Sequence, residues 1–224
     1  METLAYLRKF RKEIKIIDEI NEQIKTSVPD NWILVFATTD MQERISKILN
    51  IWRDHISSKL PNTFSYLEQN VKTLDLISYD GKFSVLYGIQ MGTGEINYFE
   101  GGNPLDCQPN DLLTRMPKEL KKFYLSVHNG FYFFPIRSMG ILPLEKVTCF
   151  AQSEWGIIED LEEPLQINLD TTYGFYNNAA GVYIAIDYEN CDNDNATIWY
   201  TDYEPYYNIN FWKEVDEWMR EAFE

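Results

Sequence analysis

Histidine and cysteine, the side chains that most often carry metal or acid–base chemistry, are few and widely spaced in this chain. The two histidines are His55 and His128, and the three cysteines are Cys107, Cys149 and Cys191. Zinc sites and thiol–imidazole pairs draw on clustered ligands, and no CxxC or comparable spacing occurs here. The sequence therefore predicts no metal site, no cofactor and reduced thiols. It also predicts that His128 interacts favourably with the carboxyl end of a helix dipole.

Two other segments approach ligand-binding motifs without completing them. Asp192–Asn195 begins like a calcium loop, but Thr197 stands where the motif requires glycine and Tyr203 where it requires a bidentate glutamate. Gly101-Gly102 is predicted to form a turn rather than a phosphate cradle, because no Lys-Ser/Thr pair follows it. These patterns argue against the common calcium and nucleotide sites, and we expect the protein not to be an enzyme.

The 35 acidic and 20 basic residues, which give a net charge of −15, are divided unevenly along the 224 residues. Residues 1–150 hold 18 of each sign, whereas residues 151–224 hold 17 acids and only Lys213 and Arg220. A field of this sign repels nucleic acid and anionic membranes and attracts a basic partner across roughly a Debye length. The charge therefore predicts no binding to nucleic acid or membranes, with solubility alone as the simpler explanation.

The same acidic third is rich in tyrosine and tryptophan, which supply large contact areas at little cost in rotamer entropy. The run Trp199–Tyr207 is the densest example. Strand alternation predicts Ile198 and Tyr200 on one face and Trp199 and Thr201 on the other. The predicted partner-binding residues are Glu159, Asp160, Glu162, Glu163, Glu189, Asp192, Asp194, Trp199, Asp202, Tyr203, Glu204 and Tyr206.

Hydrophobic spacing in the first 110 residues predicts helices and an antiparallel hairpin. Apolar residues at intervals of three and four indicate the first helix, and a capping box of Asp40 and Glu43 begins the second. Asp-Gly between two alternating runs is a strong hairpin signal. The predicted elements are a helix over residues 3–26, a strand at Trp32–Ala37, a helix from Asp40 to about Ser58, a hairpin around Asp80-Gly81 and a third strand at Glu95–Glu100.

The segment from Met116 to Val147 has the pattern helix, stop, aromatic strand and turn. Pro117 suits the first turn of a helix, and Asn129-Gly130 suits its end. The apolar stripe between them consists of Leu120, Phe123, Tyr124 and Val127. Further predicted elements are strands at Phe131–Phe134, from Gly140, and at Leu165–Leu169, Tyr173–Tyr176, Gly181–Asp187 and Thr197–Asp202, and a closing helix from Asn210. This order indicates an α+β class with a largely antiparallel sheet packed against helices.

This central segment resembles the SUKH superfamily, which includes bacterial immunity proteins and fungal regulators of cell-wall synthesis. The matching residues are Pro117, Glu119-Leu120, Phe123-Tyr124, Asn129-Gly130 and Gly140–Val147, with a looser match through Gly181–Asp187 and the closing helix. The similarity covers about the last half of the chain, and Met116 and Phe131 depart from it. The motif residues expected to be structural are Pro117, Tyr124, Asn129, Gly130 and Gly140. We expect one domain, residues 1–224, with a SUKH-like core at 111–224 and a helix-plus-hairpin elaboration at 1–110.

The resemblance also implies a function. We expect a cytoplasmic immunity protein that neutralises a cognate bacterial polymorphic toxin, such as a nuclease, by direct stoichiometric binding. Its acidic, tyrosine-rich surface would dock on a basic toxin domain and occupy the counter-charges of the substrate phosphates. The alternatives are an intracellular regulatory scaffold of the same superfamily and, less favoured, a small hydrolase with carboxylates such as Glu162 and Glu163. The sequence leaves the oligomeric state open.

Overall fold

The computed structural model describes residues 2–224 and shows an α+β fold, as the sequence predicts. The α-helices in this range are α1 (Glu2–Leu7), α2 (Glu22–Lys25), α3 (Asp30–Phe36), α4 (Met41–His55), α5 (Pro61–Asn70), α6 (Asp111–Arg115), α7 (Lys118–Ser126) and α8 (Phe211–Glu221). The strands are β1 (Lys15–Ile16), β2 (Val71–Tyr79), β3 (Lys82–Gln90), β4 (Ile96–Gly102), β5 (Phe131–Phe133), β6 (Ser138–Ile141), β7 (Thr148–Cys149), β8 (Thr172–Asn177), β9 (Val182–Asp187), β10 (Asn195–Tyr200) and β11 (Tyr206–Asn210). None of these helices combines the length and apolar character that a membrane crossing requires.

One antiparallel sheet joins both halves of the chain. Its spatial order is β1-β2-β3-β4-β5-β6-β8-β9-β10-β11, and β7 pairs with the side of β8. The halves meet where β4 pairs with β5, with Phe99 opposite Phe133 and Gly101 opposite Phe131. Residues 1–110 and 111–224 therefore contribute to the same sheet, while their division into elaboration and core stays a prediction.

The predicted helix over residues 3–26 is wrong, because the chain leaves the helical path after Leu7. Lys15 and Ile16 pair with the outer edge of β2, and the chain returns to helix only at Glu22. Leu7 packs in a small cluster with Phe134, whereas Ile24, the apolar residue of α2, packs in the main core. One straight helix cannot place its apolar residues in two separate clusters. In addition, β1 hydrogen-bonds the edge of β2, whose backbone N–H and C=O groups would stay unpaired if residues 15–16 were helical.

The predicted strand at Trp32–Ala37 is instead helix α3, which buries Trp32, Val35 and Phe36 and exposes Leu34. A short apolar run fits either a strand or a helix, and here the spacing of three and four residues decides. The predicted strand at Leu165–Leu169 is irregular; its leucines pack on the cluster that contains Trp199. Helix α5 and strand β11 were not predicted.

The elements predicted from caps, turns and helix-start residues are confirmed. Asp40 caps α4, where its Oδ1 accepts from the backbone N–H of Glu43 at 2.8 Å. The hairpin between β2 and β3 turns at Asp80-Gly81, and both residues have the positive φ that the tight hairpin turn requires. Helix α7 follows Pro117 as predicted, and its stripe is buried.

The corner after α7 is held by Asn129. Its backbone N–H donates to Gly102 O at 2.9 Å, and its Oδ1 accepts from the Leu144 N–H at 2.9 Å. Gly130 has a φ of +80°, and a Cβ there would lie 2.5 Å from Pro143 N, so only glycine fits. Tyr124 donates its hydroxyl to Leu142 O at 2.6 Å, and Gly140 lies in β6 against the backbone of β5.

His128 lies inside the core, so the prediction that its charge serves the helix dipole is wrong. The Trp52 indole N–H donates to the Tyr87 hydroxyl at 3.1 Å, and that oxygen lies 2.6 Å from His128 Nε2. The imidazole is fully buried among the rings of Trp32, Trp52 and Phe131. Burial lowers the pKa of His128 to about 3, so the ring is neutral at physiological pH.

The predicted turn at Gly101-Gly102 is strand instead, and these glycines make room for the corner. A Cβ on Gly101 would lie 2.6 Å from the His128 ring, and one on Gly102 would overlap the backbone carbonyl of Asn129. The pair therefore serves packing between β4 and the end of α7.

Acidification is expected to destabilise the protein through His128. Its pKa is about 3 when folded and near 6.5 when unfolded, so the unfolded state takes up the proton first. Its contribution to stability is complete above pH 6.5 and declines as pH falls toward 3, by about 2 kcal/mol between pH 8 and pH 5. Urea unfolding across this range measures the decline.

The matched variants are His128→Gln, in which the decline should be smaller by that amount, and His55→Gln, which changes the other histidine. An equal decline in both variants and the parent protein would show that His128 is not the titrating group.

Asp216, on α8, caps a different helix. Its carboxylate accepts from Asn62 N–H at 3.0 Å, from Asn62 Nδ2 at 2.9 Å and from Thr63 N–H at 2.8 Å, and only 3% of the residue is exposed. These donors belong to the first turn of α5, where the backbone N–H groups have no partner within the helix. The cap ties the C-terminal helix to the N-terminal half.

Replacing this carboxylate, in Asp216→Ala, should lower the free energy of unfolding by about 3 kcal/mol, because buried donors lose charge-assisted hydrogen bonds. Denaturant unfolding measures the change. The exposed neighbour Glu217→Ala should stay within about 0.5 kcal/mol of the parent protein. A similar effect of both substitutions would contradict a specific capping role.

Candidate functional site

The predicted partner-binding residues separate into two groups at opposite ends of β10, a strand about 20 Å long. Glu189, Asp192 and Asp194 lie where β9 ends and β10 begins. The second group lies where β10 ends and consists of Asp202, Tyr203, Glu204 and Tyr206, together with the segment Glu159, Asp160, Glu162 and Glu163. The Glu162 N–H donates to Glu204 Oε1 at 2.8 Å, which brings that segment to this end.

The first group is largely engaged within the chain. Lys59 Nζ lies 2.6 Å from Asp194 Oδ2, and Asn168 Nδ2 donates to Glu189 Oε2 at 2.9 Å. Of this group, Asp192 is exposed with no such partner among residues 2–224. This end of the strand is therefore the weaker candidate for a docking surface.

Trp199 is fully buried, so a partner that docks on the folded chain does not reach it. Its ring lies 5.3 Å from Phe150 and 5.4 Å from Trp155, on the side of the sheet away from α8. The prediction that Trp199 binds a partner is therefore wrong. Trp199 and Tyr200 lie on opposite faces of β10, as the predicted alternation requires, and the Trp199 face is covered.

Three tyrosines cluster at the far end of β10. Tyr203 and Tyr206 are 71% and 63% exposed, and their rings lie 6.2 Å and 5.9 Å from the ring of Tyr200. The edge-to-face geometry holds the rings in place without burying them. Exposed aromatic side chains that are already ordered lose little entropy when a partner covers them.

Helix α8 extends this cluster with carboxylates. Glu214, Glu217, Trp218 and Glu221 follow one another at helical spacing on one side of α8. A groove of about 320 Å³ connects this side to the tyrosines. It is lined by Met139, Tyr176, Asn178, Val182, Tyr200, Trp218 and Glu221. We call the combined surface the tyrosine face: Tyr200, Tyr203, Tyr206 and Trp218, with Asp202, Glu204, Glu214, Glu217 and Glu221.

The carboxylates of the tyrosine face repel one another. Partial burial raises the pKa of Glu214, and the negative charges of Glu217 and Glu221 raise it further against the opposing effect of Lys213. Burial raises the pKa of Tyr200, as do Tyr206 and Glu214 beside it. Within residues 151–224, the described ion pairs of acids are those of Asp194 with Lys59 and Glu224 with Arg220. The negative field of the tyrosine face is thus not neutralised internally.

Sequence reasoning missed the contribution of α8. The signal was available, because acids at positions 214, 217 and 221 fall on one outer side of the predicted closing helix. Their proximity to Tyr200 depends on how α8 packs across the sheet, which the sequence pattern does not contain.

Metal chemistry finds no support in the described part of the chain, residues 2–224, where no group of three or more His, Cys, Asp or Glu side chains is placed to hold an ion. The hydrolase alternative required a cleft with at least two titratable side chains, and one exists around Glu100. Its lining contains no histidine or cysteine, and the Ser84 hydroxyl lies beside the Glu100 carboxylate. The lining instead carries four carboxylates, those of Asp80, Glu100, Asp106 and Glu145.

Removing the repulsion should stabilise the isolated protein. Each like-charge pair on a helix costs about 0.2–0.5 kcal/mol, so Glu214→Gln/Glu217→Gln/Glu221→Gln should gain on the order of 1 kcal/mol at low salt. Urea unfolding at low and high ionic strength measures the gain, which should shrink as salt screens the charges.

The matched control is Glu13→Gln/Glu19→Gln/Glu95→Gln, which removes three exposed acids from the electrically balanced part of the chain. A loss of stability in the α8 variant, or the same gain in both triple variants, would contradict a locally repulsive face.

Comparison with models of known protein families, with characterised proteins and with solved structures finds no significant match to this chain.

Proposed function

We propose that this protein is a cytoplasmic immunity protein of the SUKH superfamily that neutralises a cognate, basic toxin domain by stoichiometric binding. The observation that carries the proposal is the tyrosine face: exposed aromatic side chains in edge-to-face contact, surrounded by carboxylates that form no ion pair with residues 2–224. The resemblance of the Met116–Val147 segment supplies the family and the immunity role.

Tyr203 and Tyr206 are suited to be the central anchors. Both are large, exposed and held against Tyr200, so their burial by a partner removes apolar area from water at a small entropic cost. The groove beside Trp218 and Glu221 can receive a long basic side chain, with the aliphatic stem against the indole and the charge on the carboxylate.

The charge on this face supplies both speed and specificity. A basic partner is attracted over a distance of roughly 8–10 Å at ordinary ionic strength, which raises the association rate. Arg or Lys side chains of the partner also relieve the repulsion between Glu214, Glu217 and Glu221. Because this repulsion destabilises the unbound protein, its relief contributes to the binding free energy. A nuclease groove covered in this way loses the counter-charges that bind substrate phosphates.

The alternative of a regulatory scaffold in the same superfamily uses the same kind of surface. The gene neighbourhood separates the two, because a toxin gene immediately upstream favours the immunity role. Protection at far less than one molecule of this protein per toxin would instead favour catalysis and overturn both binding proposals.

Co-expression with the neighbouring toxin domain, followed by pull-down and a growth-rescue assay, tests the proposal. Tyr203→Ala/Tyr206→Ala should weaken toxin binding by at least about 30-fold, the cost of losing a binding hot spot. The retained fold is checked by circular dichroism. Full binding and full rescue by this variant would exclude the tyrosine face as the docking surface.

Charge is tested by two variants that remove the same number of acids at opposite ends of β10. Asp202→Asn/Glu204→Gln should slow association and reduce its salt dependence, with a smaller effect on dissociation. The control Glu189→Gln/Asp192→Asn should bind as the parent protein does. An association rate that does not depend on salt, or a larger effect of the control, would contradict electrostatic docking at the tyrosine face.

A further inference from the structure

A second polar cavity, of about 120 Å³, lies far from the tyrosine face, against β3, β4 and β5. Glu100 of β4 stands at its centre, paired across the sheet with Leu86 and Tyr132. Ser84, Tyr79 and Arg137 line the same space. The cavity plays no part in the proposed toxin binding.

Glu100 is buried with only one of its oxygens satisfied. The residue is 2% exposed; the Tyr79 hydroxyl donates to Oε1 at 2.5 Å, and Oε2 has no hydrogen-bond partner among residues 2–224. Two further polar atoms beside it form no standard hydrogen bond within residues 2–224: the hydroxyl oxygen of Ser84, a residue 4% exposed, and Nε of Arg137. The Ser84 hydroxyl nevertheless lies close enough to the Glu100 carboxylate to lower its pKa. Buried polar groups in folded proteins almost always have partners, so this concentration points to a ligand.

The protein keeps Glu100 buried without pairing it directly. The guanidinium of Arg137 lies 5.2 Å from the centre of the Tyr79 ring, and that of Arg11 lies 5.8 Å from the same ring. Neither makes an ion pair with Glu100 among the residues that the structure describes. Burial raises the pKa of Glu100, and the Tyr79 and Ser84 hydroxyls oppose that rise, as do the positive charges of Arg137 and Arg11. A donor on the ligand would stabilise the carboxylate further.

The unpartnered atoms define what a ligand must bring. Glu100 Oε2 requires a donor, whereas Arg137 Nε requires an acceptor, and Ser84 can serve either. A simple cation would leave the Arg137 N–H unpaired, and a simple anion would face the Glu100 carboxylate. A molecule with one positive and one negative group satisfies both without adding net charge to a buried site.

We propose that this cavity binds a small zwitterion of α-amino acid size, with its ammonium group on Glu100 Oε2 and its carboxylate toward Arg137 Nε. The volume of about 120 Å³ suits a molecule of this class, and Tyr132 forms an apolar wall beside Glu100. The mouth carries both signs of charge: Lys82 Nζ lies 3.0 Å from Glu145 Oε1, and both side chains are about half exposed. Such a rim does not repel a molecule that is neutral overall.

The test is calorimetric titration of the full-length protein with glycine, L-alanine and L-serine. Ethylammonium, which carries only the ammonium group, and acetate, which carries only the carboxylate, are titrated at the same ionic strength. We expect saturable binding of at least one amino acid at millimolar concentration or below, and binding of either half at least about tenfold weaker, since each loses a charge-assisted hydrogen bond. No binding by any amino acid, or equal binding of ethylammonium, overturns the proposal.

Glu100→Gln should weaken amino-acid binding by at least about tenfold, because it replaces the charged acceptor with a neutral amide. The matched control is Asp80→Asn, which removes a carboxylate at the exposed edge of the same cavity. Circular dichroism and thermal unfolding confirm that both variants fold. Unchanged affinity in Glu100→Gln, or an equal loss in Asp80→Asn, would overturn the assignment. Toxin binding by the same variants, which should be unchanged, separates this result from a failure of the proposed function.

Discussion

The fold depends on the close packing of the corner after α7 against β4. The neutral imidazole of His128 occupies the space that Gly101 leaves, and Asn129 bonds the backbone of Gly102 and the segment that begins at Leu144. The same corner delivers the chain into β5, which pairs with β4 and so joins the two halves of the sheet. Any side chain at Gly101, or a charge on His128, would disrupt the packing of the corner after α7 against β4.

The two proposed sites share one physical feature: each contains carboxyl groups whose charged form is disfavoured by burial or by neighbouring negative charge. On the tyrosine face, partial burial raises the pKa of Glu214, and the charges of Glu217 and Glu221 raise it further against the opposing effect of Lys213. In the inner cavity, Glu100 is buried with one oxygen unpaired. Stability alone would not keep either arrangement, since a neutral amide in either place would cost less. Under the two proposals, binding of a partner or ligand offsets these unfavourable charges.

The sites also differ in what they can recognise. The tyrosine face is open and anionic, with aromatic rings as anchors, and is suited to a large basic surface. The Glu100 cavity is partly open to solvent and carries both charges, and is suited to a small molecule that is neutral overall. Their separation on the sheet allows each to be altered without affecting the other.

Features that depend on neighbours within a few residues were readable from the amino-acid order. These include the Asp40 cap, the Asp80-Gly81 hairpin, the apolar stripe of α7 and the alternation of Trp199 and Tyr200 on β10. The α+β class and the acidic, tyrosine-rich character of the last third follow from the same local information. Each rests on short-range backbone geometry or on composition, which are readable without coordinates.

Which of these features lie next to one another depends on packing between distant parts of the chain. The first 26 residues divide into two short helices and an edge strand because Leu7 and Ile24 pack in different clusters. Trp199 was removed from the candidate surface by burial, and the acids of α8 were added to it by the packing of that helix near Tyr200. The cavity around Glu100 combines residues from positions 79 to 146. Such contacts join residues far apart in the chain, and hydrophobic periodicity carries no information about which distant faces touch.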